Sequence, residues 1–272
     1  VIGGAFWTPG CTVIGGSTHT FDQQIQKLFA TGEQGLFYDP DDLSTMFQDA
    51  AGTVPVTAAG QPVGLIRDKS GRNNHAYQTV SASRPILRKN AVTGANYLEF
   101  DGSDDFLQTD SIDFTATDKV SLFAGVRRLS DAGVSIIAEF STNSGSNTNS
   151  FYLVVLSNGA PQFNSRGSGN SATTSSQRFP APASVIISSV GDISGKVSKI
   201  RANSGGYAVN VGDQGTGNYG NYPLYIGRRG GTALPFNGHI YGLIGIGKLV
   251  SDNEIVNIEK ELAKRVGVTL NV

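Results

Sequence analysis

Cysteine is almost absent from this sequence. The single Cys11 has no partner for an internal disulfide, so the fold has to be held by its packed core and polar pairing. Histidine is nearly as scarce. His19, His75 and His239 lie far apart, do not make up a structural zinc set with one cysteine, and belong to no pattern that reads as a catalytic triad. Charged residues are only 16% of the chain and sum to −1. Without an excess of Lys and Arg there is little to neutralise a run of phosphates, which argues against a nucleic-acid partner. No stretch of about 18 apolar residues occurs, so no helical membrane span is expected.

Turn chemistry, by contrast, is plentiful. The 272 residues include 35 glycines, and Ser, Thr and Asn crowd between short apolar runs, a composition that favours short strands over long helices. An all-β sandwich of this length commonly forms one unit. Candidate strands lie at 36–38, 97–100, 105–109, 119–127, 135–140, 151–156, 160–164, 184–190, 197–201, 207–211, 223–227 and 238–247. Ten or more strands imply two stacked sheets. The clearest hairpin joins 197–201 to 207–211, because alternating residues flank the turn sequence Ala-Asn-Ser-Gly-Gly.

The two ends read differently. Residues 1–34 form a Gly-rich arm in which Val-Ile-Gly-Gly occurs at 1–4 and again at 13–16, followed by a short linker helix from Phe21 to about Ala30 that Thr20 caps. The arm is either flexible or a segment that orders against a neighbouring subunit through Phe6 and Trp7. The main domain spans 35–272 and closes with an amphipathic helix. There Ser251-Asp-Asn-Glu254 is a capping box, Val250 and Ile255 form a hydrophobic staple, and Ile255, Ile258, Leu262 and Val266 make one stripe that Gly267 ends. Glu259, Lys260 and Lys264 are expected on its solvated face.

Four blocks in order carry a family resemblance: Asp68-Lys-Ser-Gly-Arg-Asn-Asn-His-Ala76, Leu98-Glu-Phe-Asp-Gly-Ser-Asp-Asp-Phe106, Tyr225-Ile-Gly-Arg-Arg-Gly, and Phe236-Asn-Gly-His-Ile-Tyr-Gly-Leu243 with the helix beyond it. From about Gly35 to Leu270 the chain resembles the concanavalin-A-like lectin/glucanase superfamily in its laminin-G-like form. The resemblance implies an all-β, two-sheet jelly-roll β-sandwich with a short N-terminal and an amphipathic C-terminal helix. Asp39-Pro-Asp-Asp-Leu-Ser, Gln61-Pro-Val-Gly and the ending Ala-Lys-Arg-Val-Gly-Val are similar to domains of bacteriophage tail, fibre and head proteins. That likeness implies a virion component whose partners are other virion proteins or copies of itself.

Glycosidases of the superfamily resemble a Glu-x-Asp-x-x-Glu pattern, and glycoside hydrolysis needs two carboxyls about 5 Å apart for retention. Glu99, Asp101 and Asp104 are the nearest match here, but the last position is an Asp and Gly102-Ser103 interrupts the strand. A tight turn with aspartates bonding nearby amides accounts for the same residues, so no catalytic residue is assigned. Asp101, Asp104 and Asp105, or Asp39, Asp41 and Asp42, are candidate oxygen ligands for a calcium ion, against turn capping as the simpler account. Asp68, Ser70, Asn73 and Asn74 are expected to satisfy one another around Gly71, with no chemistry on His75.

Sugars are bound by aromatic faces beside planar polar groups. Tyr219, Tyr222, Tyr225, Arg228 and Arg229 concentrate those types and are the candidate glycan-binding set. The polar stretches 141–150 and 164–177 are expected to be mobile loops. The resulting expectation is a non-catalytic lectin-like domain on a virion that binds host surface polysaccharide. A glycoside hydrolase and a bacterial cell-surface lectin are the alternatives.

Overall fold

Alternating apolar residues between turns do produce strands here. The computed structural model describes residues 20–270 and contains, among them, two α-helices and seventeen strands numbered in chain order. The first nine strands are β1 (Gly35–Tyr38), β2 (Met46–Phe47), β3 (Leu65–Ile66), β4 (Ala76–Tyr77), β5 (Ile86–Lys89), β6 (Asn96–Asp101), β7 (Leu107–Asp113), β8 (Lys119–Arg128) and β9 (Ser135–Phe140). The remainder are β10 (Ser150–Val155), β11 (Pro161–Arg166), β12 (Ser171–Thr174), β13 (Ala183–Asp192), β14 (Val197–Ala202), β15 (Ala208–Asn210), β16 (Asn221–Ile226) and β17 (Asn237–Ile246). Helix α1 (Phe21–Lys27) precedes them and α2 (Asp252–Val266) follows.

The strands form two sheets. Sheet A runs β15-β14-β13-β8-β17-β6-β5, with β1 also paired to β17, and sheet B runs β12-β11-β10-β9-β16-β7-β4-β3-β2. All pairings are antiparallel, so each strand sends alternate side chains to opposite faces. Along β8, Val120, Leu122, Ala124 and Val126 point into the core between the sheets, where they meet Phe140, Phe151, Leu153, Phe163 and Leu224 of sheet B. This is the two-sheet sandwich with a helix at each end that the sequence pattern predicts.

Sheet A is apolar on its outer face as well. Phe123, Ile186, Tyr241, Ile244 and Ile246 form a second cluster there with Ile255, Ile258, Leu262 and Val266 of α2 and Ile25, Leu28 and Phe29 at α1. Burying each such aliphatic side chain contributes about 1.5–3 kcal/mol of transfer free energy, which is why the capped helix lies down on the sheet. Gly125 of β8 lets it approach, since a Cβ there would stand 3.0 Å from Val266 Cγ2. The expected capping box joins Ser251 and Glu254, the expected cap Thr20 forms a box of its own with Gln23, and Gly267 ends α2 in the left-handed conformation at φ 80°. Because Ile25, Leu28 and Phe29 are buried in this cluster, α1 is packed against the sandwich. Phe6 and Trp7 lie outside the described residues.

Two expectations need correction. Glu259 is only 1% exposed. Its carboxylate accepts from Arg201 Nε and Nη2 at 2.7 and 2.8 Å and from the hydroxyls of Ser188 and Ser204, both at 2.6 Å. Helical periodicity places Glu259 beside Ile258 at the edge of the stripe, and only the opposing sheet supplies the partners that draw it inward. The segment 164–177 is not simply loop: β11 extends to Arg166, and β12 pairs with β11 through Asn164↔Ala172. Asp39 and Asp42 cap turns, accepting from the Asp41 and Ser44 amides at 3.0 and 3.2 Å, and Asp39, Asp41 and Asp42 also meet cations of the chain itself. Lys69 Nζ lies 2.9 Å from Asp42 and 3.5 Å from Asp39, while Arg265 of α2 pairs with Asp39 and Asp41.

Candidate functional site

Helices and their cluster occupy the outer face of sheet A, whereas among the described residues no helix covers sheet B. Its outward side chains are set by alternation. On β16, Leu224 and Ile226 point into the core, so Tyr225 points out; on β4, buried Ala76 leaves Tyr77 outward; on β10, Leu153 goes in and Tyr152 out. Between these strands, Gln108 of β7 and Glu139 of β9 share the outer face, as cross-strand partners of Tyr225.

At one end of this face is a cleft of about 680 Å³ lined by Leu65, Arg67, Asp68, His75, Tyr77 and Asp110, among others. Tyr77 lines it, and its hydroxyl donates to Asp110 Oδ1 at 2.8 Å. Burial, reinforced by the neighbouring Asp110 carboxylate, pushes the Tyr77 phenol above its ordinary range. Burial does the same for Tyr225, so both hydroxyls are neutral donors near neutral pH. Arg67 stacks on Phe47 with its guanidinium carbon 4.5 Å from the ring centroid. The cleft wall is the Asp68 loop, which is self-satisfied as expected. Asp68 accepts from the amides of Phe37, Ser70 and Asn74 and from the Ser70 hydroxyl, and the Asp68 amide donates to His75 Nδ1 at 3.1 Å.

Farther along the face, Glu139 is fully buried and accepts from Arg229 Nε and from the Ser144 amide, both at 2.7 Å. The Arg229 guanidinium thus lies over Glu139, with its central carbon 5.6 Å from the Tyr152 ring centroid. Residues 141–144 are tied down by this pairing, which a reading of 141–150 as a mobile loop did not anticipate.

The five residues singled out as a glycan-binding set separate. Tyr225 and Arg229 reach the outer face of sheet B. Tyr219 does not: it is 1% exposed, packs edge-on to Phe151 and bonds Ser165 Oγ at 2.6 Å through its hydroxyl. Tyr222 leans on the core cluster against Phe140. Arg228 is half-buried and donates to the Thr232 carbonyl. Sequence reasoning missed Tyr77, Gln108, Asp110 and Tyr152, although for Tyr77, Gln108 and Tyr152 strand alternation offered a signal: each neighbours a buried apolar residue, Ala76, Leu107 and Leu153; Asp110, between Thr109 and Ser111, gave none.

The carboxylates of the broken glycosidase pattern are all engaged. Glu99 pairs with Arg88, Asp101 Oδ1 accepts from the Ser103 amide at 2.7 Å, and Asp104 accepts from Ser83 Oγ at 2.6 Å. Asp105 is 7% exposed and accepts from the Asp101 amide at 3.0 Å. Burial, helped by the nearby Asp101, pushes its carboxyl up to about 7. Asp101 and Asp105 therefore serve the turn and Asp104 ties it to Ser83, and among the described residues no group of three His, Cys, Asp or Glu side chains is placed to hold a metal ion. Among those residues no helix is long and apolar enough to cross a membrane.

No protein-family model and no curated protein matches the chain. Solved structures do. The CBM40 domain of the Ruminococcus gnavus IT-sialidase, bound to α2,3 sialyllactose, is 17% identical over 56% of this chain and 97% of its own, with a TM-score of 0.42. Botulinum neurotoxin type C, whose cell entry depends upon interaction with two ganglioside molecules, is 13% identical over 72% of this chain and 48% of its own, with a TM-score of 0.51. An arabinofuranosidase complexed with arabinofuranosyl-α-1,2-xylobiose is 10% identical over 89% of this chain and 65% of its own, with a TM-score of 0.55. At such identities the toxin and the arabinofuranosidase share with this chain a fold, the two-sheet β-sandwich.

Proposed function

We propose that this chain is a non-catalytic carbohydrate-binding β-sandwich that holds glycan on the outer face of sheet B and is displayed on a bacteriophage particle for contact with host surface polysaccharide. The observation that carries the binding role is the difference between the two outer faces. Sheet A is sealed by an apolar cluster under two helices, whereas sheet B presents half-buried tyrosines beside amide, carboxylate and guanidinium groups and a cleft of about 680 Å³. Tyrosine rings stack on sugar C–H faces and planar polar groups pair with sugar hydroxyls. Two of the solved sandwiches it resembles meet gangliosides or a xylobioside, which accords with this reading.

Non-catalysis is supported by the engagement of Glu99, Asp101 and Asp104 in an ion pair and turn bonds, since hydrolysis needs an opposed acid and nucleophile. The virion setting rests on the phage-like segments of the sequence, and the arm carrying Phe6 and Trp7 is its proposed contact with other virion proteins or copies of itself. This reading requires no cofactor.

An array of bacterial surface polysaccharides tests the binding role. The protein binds a subset without turning it over, and Tyr77→Ala combined with Tyr225→Ala removes the signal from a folded protein. A blank array, or hydrolysis that Glu99→Gln abolishes, refutes the reading. Antibody labelling of intact particles in the electron microscope tests the virion setting, and unlabelled particles refute it.

A further inference from the structure

One row of directly opposed residues crosses the outer face of sheet B. Tyr77 of β4 is the cross-strand partner of Gln108 on β7, Gln108 of Tyr225 on β16, Tyr225 of Glu139 on β9, and Glu139 of Tyr152 on β10. Directly opposed residues share a face, so five outward side chains line up perpendicular to the strands, with a tyrosine on every second one. Strands lie about 4.8 Å apart, which places successive tyrosine positions roughly 9.5 Å apart and the row from Tyr77 to Tyr152 at roughly 19 Å. All three tyrosines are half-buried. The positions between them present planar polar groups: the Gln108 amide in one, and in the other the Arg229 guanidinium, which lies over the buried Glu139.

A single sugar needs only one ring. Three rings at one repeat, with hydrogen-bonding groups in the intervals, match a ligand that itself repeats. In a linear pyranose chain with di-equatorial β linkages, the two-fold screw turns the same sugar face to the same side at every second residue. That repeat is the length of two linked pyranoses, close to the spacing of two strands.

Resting on the sugar-binding reading above, we infer that the ligand class is such an extended β-linked polysaccharide, lying across the strands of sheet B, with alternate residues stacked on Tyr77, Tyr225 and Tyr152. Gln108 and Arg229 bond the hydroxyls of the residues between. An interior stretch of the chain is held, and the cleft beside Tyr77 takes one end of that stretch.

The test is calorimetric titration with cello- and xylo-oligosaccharides from the disaccharide to the hexasaccharide. Affinity rises with length and levels off at the pentasaccharide to hexasaccharide, where the row is filled. Tyr225→Ala, at the centre, lowers hexasaccharide affinity roughly tenfold and removes the length dependence, whereas Tyr225→Phe retains both because it keeps the ring. Tyr152→Ala shortens the length at which affinity levels off. Binding that is already complete with the disaccharide, or length-dependent binding unmoved by Tyr225→Ala, overturns the row while leaving sugar binding in place. A protein that binds these oligosaccharides and every arrayed glycan equally poorly fails on both counts.

Discussion

Replacing Glu259 with Ala exposes what the C-terminal helix contributes to stability. The carboxylate is 1% exposed and takes two bonds from Arg201, at 2.7 and 2.8 Å, and one each from Ser188 and Ser204 at 2.6 Å. Truncation leaves the Arg201 guanidinium, itself 13% exposed, without its counter-charge, and leaves the Ser188 hydroxyl buried without its acceptor. Removing one partner of a buried, hydrogen-bonded ion pair costs about 3–5 kcal/mol. At roughly 2–4 °C per kcal/mol for a domain of this size, Tm falls by about 10 °C. Urea unfolding is the direct assay, read as a shift of the midpoint at unchanged slope. Lys260→Ala on the exposed side of the same helix is the control and stays within about 0.5 kcal/mol of the parent. The Arg201→Met, Glu259→Ala double variant loses clearly less than the sum of the two singles, because it no longer buries an unpaired charge. A midpoint for Glu259→Ala no lower than that for Lys260→Ala refutes the account.

Two other outcomes follow from the same geometry. The Asp105 carboxyl is raised from 3.8 to about 7, so the folded state keeps a proton that the unfolded chain releases. Its contribution to stability is complete below about pH 4 and is lost as the pH rises through about 7. Asp105→Asn keeps an acceptor for the Asp101 amide and removes that slope. Its urea midpoint therefore gains on the parent between about pH 5 and about pH 8, and parallel slopes for the two proteins contradict the assignment. Tyr219→Phe removes the bond to Ser165, lowers stability by about 1 kcal/mol and leaves sugar binding unchanged. A loss of binding without a loss of stability returns Tyr219 to the ligand site.

Local signals in the sequence determined most of the fold. Capping boxes at Thr20 and Ser251, the stripe from Ile255 to Val266 and the long alternating runs are decided by backbone hydrogen bonds and by neighbours a few residues away, and they appear in the structure within a residue or two at most ends. Strands β2, β3 and β4 were not legible. Two residues are too few to show a period, and these strands exist because β7 offers an edge to pair with. The same limit hid the site. Tyr219 and Tyr225 look alike in a loop-rich stretch, and which one is buried depends on which sheet face each meets. The row from Tyr77 to Tyr152 joins positions 75 residues apart that only the strand order β4-β7-β16-β9-β10 brings into line. The sequence settled the kind of sandwich through short-range chemistry, while cross-strand register, a long-range property, decided which face of it is open and what lies there.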